Sequence, residues 1–127
     1  MKNLQLIREQ IKLTYPKSVI DNNSNSDTII YLTLEPFGKI SMDNKFNIEV
    51  LYFNPFNIDF DYFKKYFEVR LKFENAATYI YEDKISIYKR SGNDSKRTAF
   101  ENSMNIAYNF ITVAKEIESF IKYNTFD

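Results

Sequence analysis

Histidine and cysteine are both absent from the 127 residues of this chain. Without histidine it lacks the commonest general base and the commonest transition-metal ligand. Without cysteine it has no disulfides, thiolate metal sites or thiol nucleophiles, and its redox compartment stays open. Charge of one sign is missing as well: 17 basic and 17 acidic residues give a formal net charge of +0. Neither nucleic acid nor an anionic membrane surface is attracted to such a chain at long range. No segment approaches the ~18 apolar residues of a membrane span, and the N-terminus has no signal-peptide core, so a cytoplasmic protein is expected. Glycine occurs twice and tryptophan not at all. Scarce glycine beside abundant Asn, Lys, Ile, Tyr and Phe is the bias of AT-rich coding, which points to a low-GC bacterium or its phage.

What the chain has in quantity is aromatic side chains, with 12 Phe and 10 Tyr making 17% of the sequence. Its length is that of one domain, enough to bury about two thirds of the unfolded surface. The longest periodic segment is Arg97–Tyr123. Phe100, Met104, Ala107, Ile111, Ala114 and Ile121 recur at helical spacing, and Ile106, Phe110, Val113, Ile117 and Phe120 form a second stripe beside them. Together the stripes cover roughly 200° of the helix, well beyond the arc of an ordinary surface helix. Lys115, Glu116, Glu101, Asn105, Thr112 and Ser119 share the polar side. Such a helix needs a sheet beneath it and a second helix or a second subunit beside it. Thr98 and Glu101 stand in capping-box spacing, which sets its start.

From the N-terminus, Asn3–Thr14 reads as an amphipathic helix with Leu4, Ile7, Ile11, Leu6 and Leu13 inward, ended by Pro16. Ser18–Asp27 is a polar loop with a short extended piece at Val19–Ile20. Thr28–Leu34 alternates as a strand, with Ile30, Leu32 and Leu34 on one face. A turn at Glu35–Gly38 leads to a second strand, Lys39–Met42. Asp43 and Asn44 make a tight turn into a third, Phe46–Phe53, with Phe46, Ile48, Val50 and Tyr52 inward and the far end covered on both sides. Asn54 and Pro55 break the pattern, and Asp59 or Asn57 caps a helix running to about Lys72. Its stripe is Phe60, Phe63, Phe67 and Leu71, flanked by Tyr62, Tyr66, Val69 and Phe73. Thr78–Tyr81 and Lys84–Tyr88 are strands around a turn at Glu82 and Asp83, with Ile80, Ile85 and Ile87 as core candidates. The result is a single α+β domain over residues 1–127, in the order α-β-β-β-α-β-β-α. It has an antiparallel sheet of about five strands with a long C-terminal helix packed on it.

That element order resembles the type III secretion chaperone-like fold, shared by secretion chaperones and the YbjN family. The resemblance covers nearly the whole chain and rests on element order, element length and the helix-hairpin-helix pattern of Phe60–Ile121. It implies pairing of two subunits, and, for the secretion chaperones, a partner's extended segment held on the surface. Those chaperones are typically acidic, whereas this chain is neutral.

Candidate chemistry is thin. Asp59, Asp61, Glu82 and Asp83 read as a helix cap, a first-turn charge and a turn, since no oxygen-rich loop of calcium-binding spacing exists. Lys89, Arg90, Lys96 and Arg97 surround Ser91–Ser95, in the polar loop Ser91–Lys96 before a helix start, where backbone amides can hold an anion, yet no G-x-x-x-x-G-K pattern accompanies it. No strand carries the aromatic pattern of an RNA-stacking sheet, so nucleic acid is not the expected partner. The surplus aromatics Tyr62, Tyr66, Phe73, Phe110 and Phe120 are the candidate protein interface, because tyrosine and phenylalanine anchor such surfaces. A non-enzymatic, cofactor-free protein is expected, binding another protein as chaperone, adaptor or regulator and pairing as a homodimer. The alternatives are an inhibitor, such as a toxin immunity protein or a phage-encoded blocker of a bacterial defence enzyme, and a nucleotide- or nucleic-acid-binding protein.

Overall fold

The structure, a computed structural model, describes residues 2–20, 28–34, 38–52, 58–90 and 98–124. Helix α1 (Lys2–Thr14) is followed by strands β1 (Val19–Ile20), β2 (Thr28–Leu34), β3 (Gly38–Asp43) and β4 (Ile48–Tyr52). Helix α2 (Phe60–Arg70), strands β5 (Ala76–Ile80) and β6 (Lys84–Lys89), and helix α3 (Ala99–Asn124) complete the chain. The order expected from the sequence is present, and the extended piece at Val19–Ile20 is a two-residue strand added to it. All pairings are antiparallel, in the order β1-β2-β3-β4-β6-β5. Because β6 returns between β4 and β5, β5 lies at an edge of the sheet.

Strand alternation puts Ile30, Leu32, Leu34, Ile40, Met42, Ile48, Val50, Ile85 and Ile87 on one buried side, as an antiparallel sheet with one wet face requires. The same core contains Ile7 and Ile11 of α1, Phe63 and Phe67 of α2, and seven apolar residues of α3, so the helices share that side. Helix α1 packs along α3. Helix α2 meets α3 through Phe120, whose ring lies 5.4 Å from Phe63 and 5.1 Å from Phe67. The wide apolar arc of α3 is thus filled within the chain, by the sheet, by α1 and by α2.

Local chemistry explains the boundaries. Asp59 caps α2 by accepting from the Tyr62 amide, and Thr98 caps α3 by accepting from the Glu101 amide at 3.1 Å. The Asp43 carboxylate accepts from the amides of Lys45 and Asn47, closing the turn before β4. Phe46 sits in that turn at φ 67°, so it is not the first residue of the strand, although its ring packs on the core. Three other expectations fail for positional reasons. Leu51 is exposed, because no layer among the described residues covers the second face of β4; Leu13 points to solvent past the last inward position of α1; Phe100, 57% exposed, precedes the part of α3 that overlies the sheet. Phe53, the turn at Glu35–Gly38 before Gly38, and most of the Ser18–Asp27 loop lie outside the described residues.

Candidate functional site

The five aromatic candidates do not form one surface. Phe110 and Phe120, 0% and 1% exposed, belong to the core of the chain itself, so their assignment to an interface is corrected. The reason is geometric: an arc too wide for one layer meets three neighbours. Tyr66 is half-buried, its ring edge against Phe120 at 5.0 Å and its face stacked by the Arg70 guanidinium at 3.7 Å. Burial raises the Tyr66 phenol above its ordinary pKa, although the Arg70 charge opposes the shift. Tyr62 remains 52% exposed on the flank of α2 that faces α3. Phe73 lies on the opposite side of α2, in the segment leading to β5, and is half-buried there.

It is around Phe73 that the molecule opens. A groove of about 830 Å³ runs between α2 and the edge strand β5. Its apolar lining includes Val69, Leu71, Phe73 and Ile80. Val69 is 68% exposed there, a large β-branched side chain in water with no layer above it. Lys64, Lys72 and Arg90 stand along the groove against one acid, Glu68, which pairs with Lys64 at 3.8 Å. A neutral chain therefore has a locally basic groove. Tyr79 and Tyr81 line it from the open side of the sheet, where the Tyr79 ring meets Tyr88 at 5.7 Å.

The backbone of β5 adds a second feature. The Arg90 amide donates to the Asn75 carbonyl and the Tyr81 amide to the Lys84 carbonyl, so odd-numbered residues of β5 bond to β6. By the alternation of an antiparallel ladder, the groups of Ala76, Thr78 and Ile80 point the other way. Ala76 is bridged by Phe73 in a tight reversal. Thr78 and Ile80 present their amide and carbonyl groups to the groove with no strand against them among the described residues.

Three polar anchors hold this end of the sheet in place. Asn109, buried on α3, donates to the Asn75 side chain at 2.9 Å, tying the long helix to the start of β5. Tyr52 stacks on Phe63 at 4.5 Å and its hydroxyl donates to the Tyr81 carbonyl. Burial, and then the charges of Asp83 and Glu82, hold that phenol above its usual range. The Thr78 hydroxyl donates to the Leu71 carbonyl at 2.7 Å, closing the end of α2 onto β5.

The acidic candidates fall at the cap, first turn and hairpin turn expected of them. Asp59 caps α2, Asp61 lies in its first turn, and Glu82 and Asp83 form the exposed β5–β6 turn. Among the described residues no three Asp or Glu side chains gather as a metal site. No helix among them is long and apolar enough to cross a membrane. The Ser91–Lys96 anion-loop candidate lies outside the described residues. Reading the sequence alone missed Thr78, Ile80, Tyr79 and Lys72 as groove residues, because nothing in a hairpin's sequence tells which of its strands becomes the sheet edge. Compared with family models, curated proteins and solved structures, the chain gives no match.

Proposed function

We propose that this chain is a non-enzymatic protein-binding domain, a small chaperone, adaptor or regulator that holds its partner in the groove between α2 and β5. The observation that supports this reading is the groove itself. It combines exposed apolar surface at Val69, half-exposed tyrosines and an unpaired strand edge, features a solitary soluble protein keeps covered. Tyr62, on the other flank of α2, extends the exposed aromatic surface. The expected homodimer followed from the arcs of α2 and α3 and from the resemblance; with the arc of α3 filled from within, α3 no longer argues for it.

A photo-reactive amino acid placed at Val69 or Tyr79, in the cell that makes the protein, tests the proposal. Both positions should form a discrete adduct with the same partner, while Leu13, equally exposed on α1, should form none. Adducts of equal yield at all three positions, or none at Val69 and Tyr79, would sink the reading. The identity of the captured chain then separates a chaperone or adaptor from an inhibitor whose target is a toxin or a defence enzyme.

A further inference from the structure

Resting on that protein-binding reading, we infer that the groove takes an extended segment of another protein as an added strand on β5. The segment carries apolar side chains at alternate positions and carboxylates between or beside them. Three features of the groove converge on this partner. First, the outward amide and carbonyl groups of Thr78 and Ile80 are a template for strand addition over the last residues of β5, beyond the reversal at which Phe73 bridges Ala76, and they can pair with about three residues of a partner. Second, a strand paired there projects every second side chain toward α2, where the exposed Val69 and the half-buried Phe73 offer apolar contact. Third, Lys72 and Arg90 have no carboxylate within ion-pair distance among the described residues, whereas Lys64 already has Glu68. The vacant positive charge selects an acidic segment.

Other occupants fit less well. A second copy of this chain would bring the same basic rim against itself. A nucleic acid would meet the cations, but the apolar floor offers nothing to phosphate. Strand pairing satisfies the backbone, the apolar floor and the rim together.

The probe is a capped seven-residue peptide alternating glutamate with valine, fluorescently labelled and titrated with the full chain. Three relatives accompany it: a block-ordered peptide of the same composition, a peptide with lysine for glutamate, and versions N-methylated on one or the other set of alternate residues. The acidic alternating peptide should bind at least about tenfold more tightly than the lysine and block forms, and weaken as salt rises. One N-methylated set, the one facing β5, should lose binding by about tenfold or more while the other keeps it. Amide hydrogen exchange should slow at Thr78 and Ile80 on binding.

Thr78→Pro, which removes an outward amide, and Lys72→Glu with Arg90→Glu should each abolish the preference. The peptide comparisons stand even if Thr78→Pro does not fold. Equal binding of the block or lysine peptide, or indifference to both N-methylations, overturns the strand-addition model. So does displacement of the peptide by a short oligonucleotide at equal concentration, or slowing of exchange at Thr78 and Ile80 by self-association alone. If these peptides fail while Val69 still captures one partner in the cell, the protein-binding reading survives without this inference.

Discussion

Gly38 shows how one residue can hold a register. It begins β3 opposite Tyr52, and an ideal Cβ there would lie 2.0 Å from the Leu51 carbonyl oxygen and 2.8 Å from the Tyr52 Cα. Those neighbours are backbone and cannot turn aside, so Gly38→Ala must push β3 and β4 apart. A loss of about 1–3 kcal/mol in a urea melt is expected, the usual cost of overpacking; a variant that melts like the parent would show that the strands do not approach so closely. Ser86 is the opposite case. It is buried on the helix-free side of β6, beside Glu49 and Tyr79 in the register, and its hydroxyl has no hydrogen-bond partner among the described residues. Removing an unsatisfied buried hydroxyl is nearly neutral or favourable. Ser86→Ala should leave stability unchanged or raise it by up to about 1 kcal/mol, and a clear loss in the same melt would mean that the hydroxyl is bonded.

Helix α3 carries most of the helical share of the core, and its phase can be tested directly. Ile106, Phe110, Val113, Ile117 and Phe120 are all buried, while Ile111 is only half-buried and Met104 and Ile121 flank the core. The centre of the apolar arc therefore runs along the second stripe, not along Ile111 as the first stripe suggested. Ile117→Ala should cost about 2–5 kcal/mol, Ile111→Ala distinctly less, and the exposed Lys115→Ala no more than about 0.5 kcal/mol. The reverse order of the two isoleucines in denaturant melts would rotate the helix and dismantle its packing against α1 and α2. Two ion pairs involve α2, Lys64 with Glu68 within the helix and Arg70 with Glu116 across to α3; both are 3.8 Å long and open to solvent, so each contributes little to stability.

For the molecule as a unit, Phe120 and the tyrosines matter most. Phe120 lies within 5.4 Å of the rings of Phe63, Tyr66 and Phe67, all in the same chain. Phe120→Ala should cost about 3–5 kcal/mol, a large share of the ~5–15 kcal/mol typical of a domain. The loss should be the same at every protein concentration; dependence on concentration would return the residue to an interface between copies. Stability should also fall in alkali. Tyr15 and Tyr52 are held protonated in the folded chain, both chiefly by burial. The neighbouring Glu118 carboxylate adds to the shift at Tyr15, and the charges of Asp83 and Glu82 add to it at Tyr52. Below about pH 10 both states keep these protons and the contribution is fully present. Above it the unfolded chain ionises first, so stability is lost as pH rises. Thermal melts between about pH 8 and 11 should show that decline, shallower in the double variant Tyr15→Phe with Tyr52→Phe. A flat profile in the parent would contradict the burial of these phenols.

Element type and order followed from local rules, because periodicity, caps and turn residues act over a few neighbours. The stripes at Phe63, Phe67 and Phe110, the cap residues Asp59 and Thr98, and the alternation of Ile30, Leu32 and Leu34 were all legible in that way. The inward faces of the strands were legible too, since a side chain's face is set by counting along one strand. What covers each surplus face was decided by tertiary structure alone. The second stripe of α3 finds α1 and α2 rather than another subunit, and this turns Phe110 and Phe120 from a candidate interface into core. The edge position of β5 also depends on the return path of β6 between β4 and β5, a choice among pairings that leaves no mark on either strand's sequence. With that choice come the outward groups of Thr78 and Ile80 and the basic groove beside them, because a strand edge exists only once every other strand has taken its neighbour.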